Sequence, residues 1–536
     1  MSLKMNLISL KDIVIKILLI ISFPCLTMVF SRVSNKNVLI ISLLLSAIIG
    51  LILVHYFYDK ILKKFNYKLF VASLIICDVI LGIYYNFHFQ EYISSTFYLI
   101  STNKFILVTL FAFPALTFII YYLIDNLNKP IIHFFRGLDR FDKKFLVGFS
   151  IVFLLLAIFI YGKTTAFYYG NNIQYDIIYT TDSSDIYRNE TFLNVNSPYN
   201  EPSKQPLFGV FALPFGFLAL VLSKVLFFIP NSYIVCLSTV QFCLFLITIL
   251  MITRLLKLNT TDKRNFCLIF ISLFSTIVFA FTLEQYIISL FYLILVLYAY
   301  YYHKNDVNYT YVSGVGTLTT TGVLLPFISK NKNFKGLALN IFKCIILFVG
   351  IIVLFGQLSS ITTFFENMFN NLDGFAGGGV PFIDRIKQYL NFVKGIFIPV
   401  SSTVVSADES NFWYPQYLLS PVYNFSKFGI AILCTCLLSF ILNRKNKIVQ
   451  VSAFWVLYSI IILCFVGFGT QENGLILYSL YFSWAFIILC YLLFIKIIKK
   501  SLLRNVLTII ICAGLLFLNI PAFNEIINFG IMFYPN

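Results

Sequence analysis

Charge is what this sequence has least of. Asp, Glu, Lys and Arg together make up 11% of its 536 residues, against roughly 25% in a soluble domain, which excludes an ordinary globular enzyme. Histidine is scarcer still: the four, His55, His88, His133 and His303, are scattered over different loops and faces, which argues against a zinc site. The 11 cysteines, among them Cys77, Cys243, Cys434 and Cys436, lie inside apolar runs without metal-type spacing. They read as helix-interface filler rather than a disulfide framework. The Gly377 to Gly379 run lacks a following Lys-Ser/Thr, so it is not a nucleotide-phosphate loop. No internal repeat has a credible period, which withholds support from an inverted-repeat transporter. The first apolar run, Ile13 to Phe30, has no small-x-small cleavage site and leads into another apolar run, so it reads as a retained helix.

What fills the sequence instead is apolar: 60% hydrophobic and 18% aromatic residues, with a mean hydropathy of +0.89. Runs of about 20 apolar residues, each long enough to cross a bilayer, recur from 11 to 521. The expected fold is therefore an all-α polytopic membrane protein. Its net charge of +17 does not point to nucleic acid, because the Lys and Arg residues concentrate in alternate loops, as cytoplasmic loops require. Such loops hold Lys60 to Lys68, Lys129 to Lys144, Arg254 to Arg264, Arg444 to Lys447 and Lys496 to Arg504. Two apolar segments are ambiguous. Reading 206–229 as interfacial or re-entrant, and 312–328 as a shallow hairpin around Thr319 to Gly322, brings every basic loop to one side. About thirteen spans of the usual length result, with the N-terminus inside and the C-terminus outside. Asp78 falls within a span, where an ionisable group is a functional hypothesis by default, although pairing with Tyr or backbone groups would account for it.

Two long outer loops, 163–204 and 356–426, break this pattern, and loops of such length usually carry function. The first holds Asp176, Asp182, Asp185, Glu190 and Glu201; the second holds Asp373, Asp384, Arg385, Lys387, Asp408 and Glu409. The most informative stretch is Tyr179 to Arg188 (Tyr-Thr-Thr-Asp-Ser-Ser-Asp-Ile-Tyr-Arg), followed by Lys204-Gln205-Pro206-Leu207 entering an apolar run. Asp182 and Asp185 also fit the simpler role of turn or N-cap residues, and Lys204 that of a snorkelling interfacial residue.

In order, these segments resemble the GT-C class of integral-membrane glycosyltransferases, such as protein O-mannosyltransferases and lipid A aminoarabinose transferases. Downstream, Thr282-Leu283-Glu284-Gln285-Tyr286 is similar to the Ser-x-Glu-x-x-x-Tyr segment of those families. Gly314 to Pro326 resembles their Gly-Leu-x-x-Leu-Thr-Lys-x-x-Gly hairpin, with Thr where the basic residue stands. The resemblance covers about residues 145–521. It divides the chain into a four-helix module at 1–144, a catalytic module at 145–521 and an outer tail at 522–536.

The resemblance implies transfer of a sugar from a polyprenyl-phosphate-linked donor to a glycan or glycolipid acceptor of the cell envelope. The setting would be the outer face of a bacterial plasma membrane. A sugar hydroxyl has a very high pKa, so a carboxylate that takes its proton contributes about 10²–10⁴-fold. Asp182, with Asp185 and Glu284, is the expected catalytic set. The leaving phosphate needs cationic donors, and Arg188, Lys204, Arg385 and Lys387 are the basic residues available. No metal ligand set is expected; a divalent cation is compatible with the outward acidic residues, although no spacing points to one. Two other readings are an envelope polysaccharide polymerase or ligase, relying on basic outer residues, and a lipid-linked sugar flippase or other transporter, requiring a polar path through the spans.

Overall fold

The computed structural model describes the chain except for residues 1, 32–35, 64, 97–101, 169–176, 195–203, 304–306, 329–332, 357, 359–379, 410–411 and 471–473. Asp176, Glu201, Asp373 and the Gly377 to Gly379 run lie outside the described residues. The described residues are helical apart from loops and one two-stranded β-hairpin. Among the described residues nine helices are long and apolar enough to cross a membrane, or ten if one bent pair forms a single span. Two of the apolar runs expected to span, 283–301 and 427–442, form shorter apolar helices among the described residues, Tyr286–Tyr302 and Lys427–Asn443. The Lys427–Asn443 helix has 17 residues, about 26 Å at 1.5 Å per residue, short of the ~30 Å hydrocarbon core. Conversely Phe208–Val225, expected to be interfacial, is an 18-residue helix that meets the length and composition of a span.

The chain divides into two compact units. The first comprises Met1–Arg136, Leu193–Leu213 and Ala299–Glu366. Its core is the helices Ser2–Phe30, Lys36–Lys63, Tyr67–Thr96 and Thr102–Arg136, joined by Phe334–Leu354. Small residues allow close approach here, as membrane helices favour: a Cβ on Gly50 would meet the Phe23 ring at 2.6 Å. Asp78 is exposed on the Tyr67–Thr96 helix. Where the sequence suggested a shallow hairpin, the helix Val307–Thr317 stops and turns into the 3-10 segment Thr319–Leu324. Tyr311 closes this turn by donating its hydroxyl to the Gly322 carbonyl at 2.7 Å.

The second unit comprises Gly137–Phe192, Pro214–Tyr298 and Asn367–Asn536. The helix Arg140–Tyr161 starts on a capping box, in which Asp139 accepts from the Asp142 N–H and Asp142 accepts from the Asp139 N–H, so two otherwise orphaned donors are satisfied. One face buries Phe145, Phe153, Ala157 and Tyr161, while Val147, Ile151, Leu155 and Phe159 stand exposed at four-residue spacing. Such a stripe is a liability in water and a lipid-facing surface in a bilayer. At the centre lies Ser232–Leu255, a helix buried almost all round.

Next to it, Thr260–Ile271 and Phe274–Phe281 meet at 63°. Without water, a broken helix needs partners for its freed carbonyls, and Asn519 supplies one by donating to Ser272 O at 2.7 Å and Phe397 O at 3.0 Å. At the other end of the unit the scarce charges are paired. Lys263 holds Asp139 and, at 2.7 Å, Asp142, which also pairs with Arg254 at 3.3 Å. Arg504 grips Asp262 through two bonds of 2.8 and 3.1 Å. The last helix runs from Ser501 to Phe533, so residues read as a tail beyond 521 continue as helix.

Candidate functional site

The segment entering Tyr179–Arg188 is anchored to the hairpin formed by β1 (Ser402–Glu409) and β2 (Phe412–Leu419). Tyr417 donates its N–H to Ile177 O at 2.7 Å, and Tyr179 donates its own to Tyr417 O at 2.9 Å. Tyr179 and Thr180 then adopt φ of +52° and +56°, a left-handed conformation that costs residues with a Cβ on the order of 1–3 kcal/mol each and tends to mark functional sites. Packing holds this turn in place. The Tyr179 ring is buried against Tyr417 and Phe274, with its hydroxyl 2.9 Å from Ser402 Oγ. Thr180 fits because residue 474 is glycine: a Cβ there would lie 2.5 Å from Thr180 Oγ1. Thr181 donates both its N–H and its hydroxyl to Ile178 O, at 3.1 and 2.7 Å. The chain thereby reverses and delivers Asp182 to the start of the helical turn Ser183–Arg188.

Asp182 occupies the N-cap position but makes no side-chain cap hydrogen bond. Its φ of −76° and ψ of 21° also depart from the extended backbone of a capping residue. Of the two roles the sequence admitted, capping is the one this geometry does not use. The Asp182 backbone N–H instead donates to Glu284 Oε1 at 2.9 Å, and Gln285 N–H donates to Glu284 Oε2 at 3.2 Å. Glu284 is only 3% exposed. It stands on the short link between Phe274–Phe281 and Tyr286–His303, which is fixed by a bond from Leu283 N–H to Phe167 O at 3.0 Å and by Gln241 Nε2 donating to Glu284 O at 2.9 Å. Two segments 102 residues apart in sequence therefore meet through the carboxylate that sequence reasoning had singled out.

Asp185 follows on the same turn. Burial pushes its carboxyl above the ordinary value, the neighbouring Asp182 charge adds to this, and the Arg188 guanidinium opposes it. Arg188 is exposed at the end of the turn. The other expected cations are differently placed. Arg385 directs its guanidinium to Val380 O at 3.0 Å, Phe465 O at 3.2 Å and Val466 O at 3.4 Å, tying the Phe382–Phe397 helix to the end of the π-helical turn Ile460–Val466. Lys387 pairs with Asp384 at 2.8 Å.

In the first unit, the remaining two segments meet each other. Thr319 donates its N–H to Lys204 O at 2.9 Å, and Leu207 donates to Gly316 O at 2.8 Å. Gly316 is required for this approach, since a Cβ would come 2.9 Å from Leu207 Cβ. The four segments thus assemble as two pairs, one in each unit.

Sequence reasoning missed the supporting residues Gln241, Ser402, Tyr417 and Gly474. Nothing local in the sequence marks them, because their role arises from contacts between distant segments. Among the described residues no three His, Cys, Asp or Glu side chains are grouped so as to hold a metal ion. No family model matches the chain, and neither a curated protein nor a solved structure matches it. The fold itself establishes a polytopic, helical membrane protein with nine or ten candidate spans among the described residues.

Proposed function

We propose that the protein is a GT-C-type membrane glycosyltransferase, moving a sugar from a polyprenyl-phosphate-linked donor to an extracytoplasmic cell-envelope acceptor. The observation that carries this reading is the bond from the Asp182 N–H to buried Glu284, which fixes a loop carboxylate that is not used for capping. In the reaction, an acceptor hydroxyl gives its proton to Asp182 while its oxygen bonds to the anomeric carbon. The bond from that carbon to the phosphate oxygen breaks, and its electron pair leaves with the lipid phosphate. Glu284 acts as a positioning residue. Arg188 is the cation of this unit assigned to the phosphate, since Arg385 and Lys387 already serve backbone carbonyls and Asp384. That use of Arg385 also counts against a polymerase or ligase that would rely on basic outer residues.

The test is product formation in membranes supplied with polyprenyl-linked sugar. Asp182→Asn, at unchanged expression, is expected to lower turnover by about 10²–10⁴-fold. Full activity in that variant would remove Asp182 as the base.

A further inference from the structure

The second unit contains a cavity of about 250 Å³ that none of the functional residues named so far lines. Its walls come from the Phe382–Phe397 helix, the outer ends of both hairpin strands and the segment after β2. They present three amides, Gln388, Asn391 and Asn424, the Ser401 residue, and two aromatic rings, Phe392 and Tyr423. No charged residue is in the lining. Gln388 Oε1 is buried and accepts no hydrogen bond from the described residues. Asn391 is held by its own bond to Lys387 O at 3.0 Å, and Tyr423 stands at the rim, 75% exposed.

We propose that this cavity binds one uncharged pyranose ring. An anion or cation would enter without a counter-charge, and a purely apolar ligand would leave the amides unpaired. A sugar satisfies both constraints, since its hydroxyls donate and accept as amides do and its C–H face lies against an aromatic ring. The volume, below the roughly 300–1,000 Å³ of pockets for drug-sized ligands, suits a single ring. Two lining residues are chain neighbours of the carboxylate loop's supports: Ser401 adjoins Ser402, which meets the Tyr179 hydroxyl, and Leu475 follows Gly474, which accommodates Thr180. Resting on the transferase reading, the cavity is the subsite for a sugar of the acceptor glycan; as a binding site it stands apart from that reading.

The experiment is saturation-transfer NMR on the full chain in nanodiscs, titrated with the methyl glycosides of glucose, galactose, mannose and N-acetylglucosamine, and with glucuronate as the charged control. Saturable binding of at least one neutral glycoside is expected, with glucuronate roughly tenfold weaker or worse, because a carboxylate is desolvated there unpaired. Gln388→Leu and Tyr423→Ala should each weaken binding several-fold. Tyr423 lies on an exposed loop, so its variant remains informative if Gln388→Leu fails to fold. Absence of binding across the panel, equal binding of glucuronate, or unchanged affinity in both variants would overturn the proposal. Binding retained by an Asp182→Asn protein supports the subsite whether or not transfer is lost. Loss of transfer in that variant, with no glycoside bound by the wild type, would leave the transferase and remove the subsite.

Discussion

Glu284 and Asp185 are both carboxylates near Asp182, yet their surroundings give them different work. Glu284 is buried and accepts two backbone N–H bonds, so the property it must supply is an oxygen acceptor. Glu284→Gln keeps one of the two acceptor oxygens, enough for the bond from the Asp182 N–H, and should keep transfer within about tenfold of wild type, whereas Glu284→Leu should fall about tenfold or more below it, as loss of a hydrogen bond to a charged group implies. Equal loss in both variants would show that the charge itself takes part.

Asp185 is governed by burial and by its neighbour Asp182, which raise its pKa. A carboxyl raised on folding contributes stability that is fully present below its unfolded value and lost as pH rises through the folded one. Asp185→Asn should therefore raise the melting temperature at neutral pH, with the gain shrinking as pH falls toward the ordinary carboxylate range, about 3.9 for Asp. A gain independent of pH would contradict this. Asp182, Asp185 and Glu284 stood out in the sequence through the segments that resemble the GT-C class. Their division of labour was not legible there, since it depends on a bond across 102 positions and on two left-handed residues, Tyr179 and Thr180, that local propensity does not anticipate.

Among the elements, the 63° break between Thr260–Ile271 and Phe274–Phe281 is held by the Asn519 side chain, with Thr276 Oγ1 donating to Phe270 O at 2.9 Å. Asn519→Leu would leave Ser272 O and Phe397 O without that donor, at about 1–3 kcal/mol for each carbonyl left unpaired. Thermal unfolding in detergent should show a clear loss for Asn519→Leu, while substitution of exposed Phe517 on the same helix should show almost none. The apolar run at 265–281 was legible, but its break was not: Ser272 and Leu273 contain neither Pro nor Gly, the usual marks of a kink. The hairpin at 402–419 was read only as loop, because Pro415 and the charged Asp408 and Glu409 mask its alternation. The reverse holds for Phe208–Val225, read as interfacial or re-entrant from the sidedness of the basic loops, which forms an 18-residue helix that continues through Pro214.

On the scale of the whole molecule, scarcity of charge was enough to place the chain in a membrane, while the number of spans followed from helix lengths that composition does not fix. In the second unit one cluster of charges is fully paired, joining Asp139 and Asp142 with Lys263 and Arg254, and Asp262 with Arg504. Asp139 shows what this does to a carboxyl: burial pushes it up, but hydrogen bonds from Lys263 and from backbone N–H groups outweigh that and hold it below the ordinary value. Breaking a buried pair by removing one partner costs about 3–5 kcal/mol. Arg504→Met should therefore destabilise the protein by about that amount in denaturant titrations, and Arg504→Met combined with Asp262→Leu should recover much of it. Failure of the double variant to recover would assign the loss to the bonds Arg504 makes to Ile498 O and Lys499 O.

The two halves of that pair are 242 residues apart, and a ribosome adding about 5–20 residues per second needs roughly 10–50 s to travel between them. For that interval the Asp262 carboxylate exists without its guanidinium, at the head of a helix already made. This end of the unit therefore closes only after most of the polypeptide has been synthesised, so a nascent chain arrested before position 504 should be cut by protease near residues 259–263 where the finished protein resists.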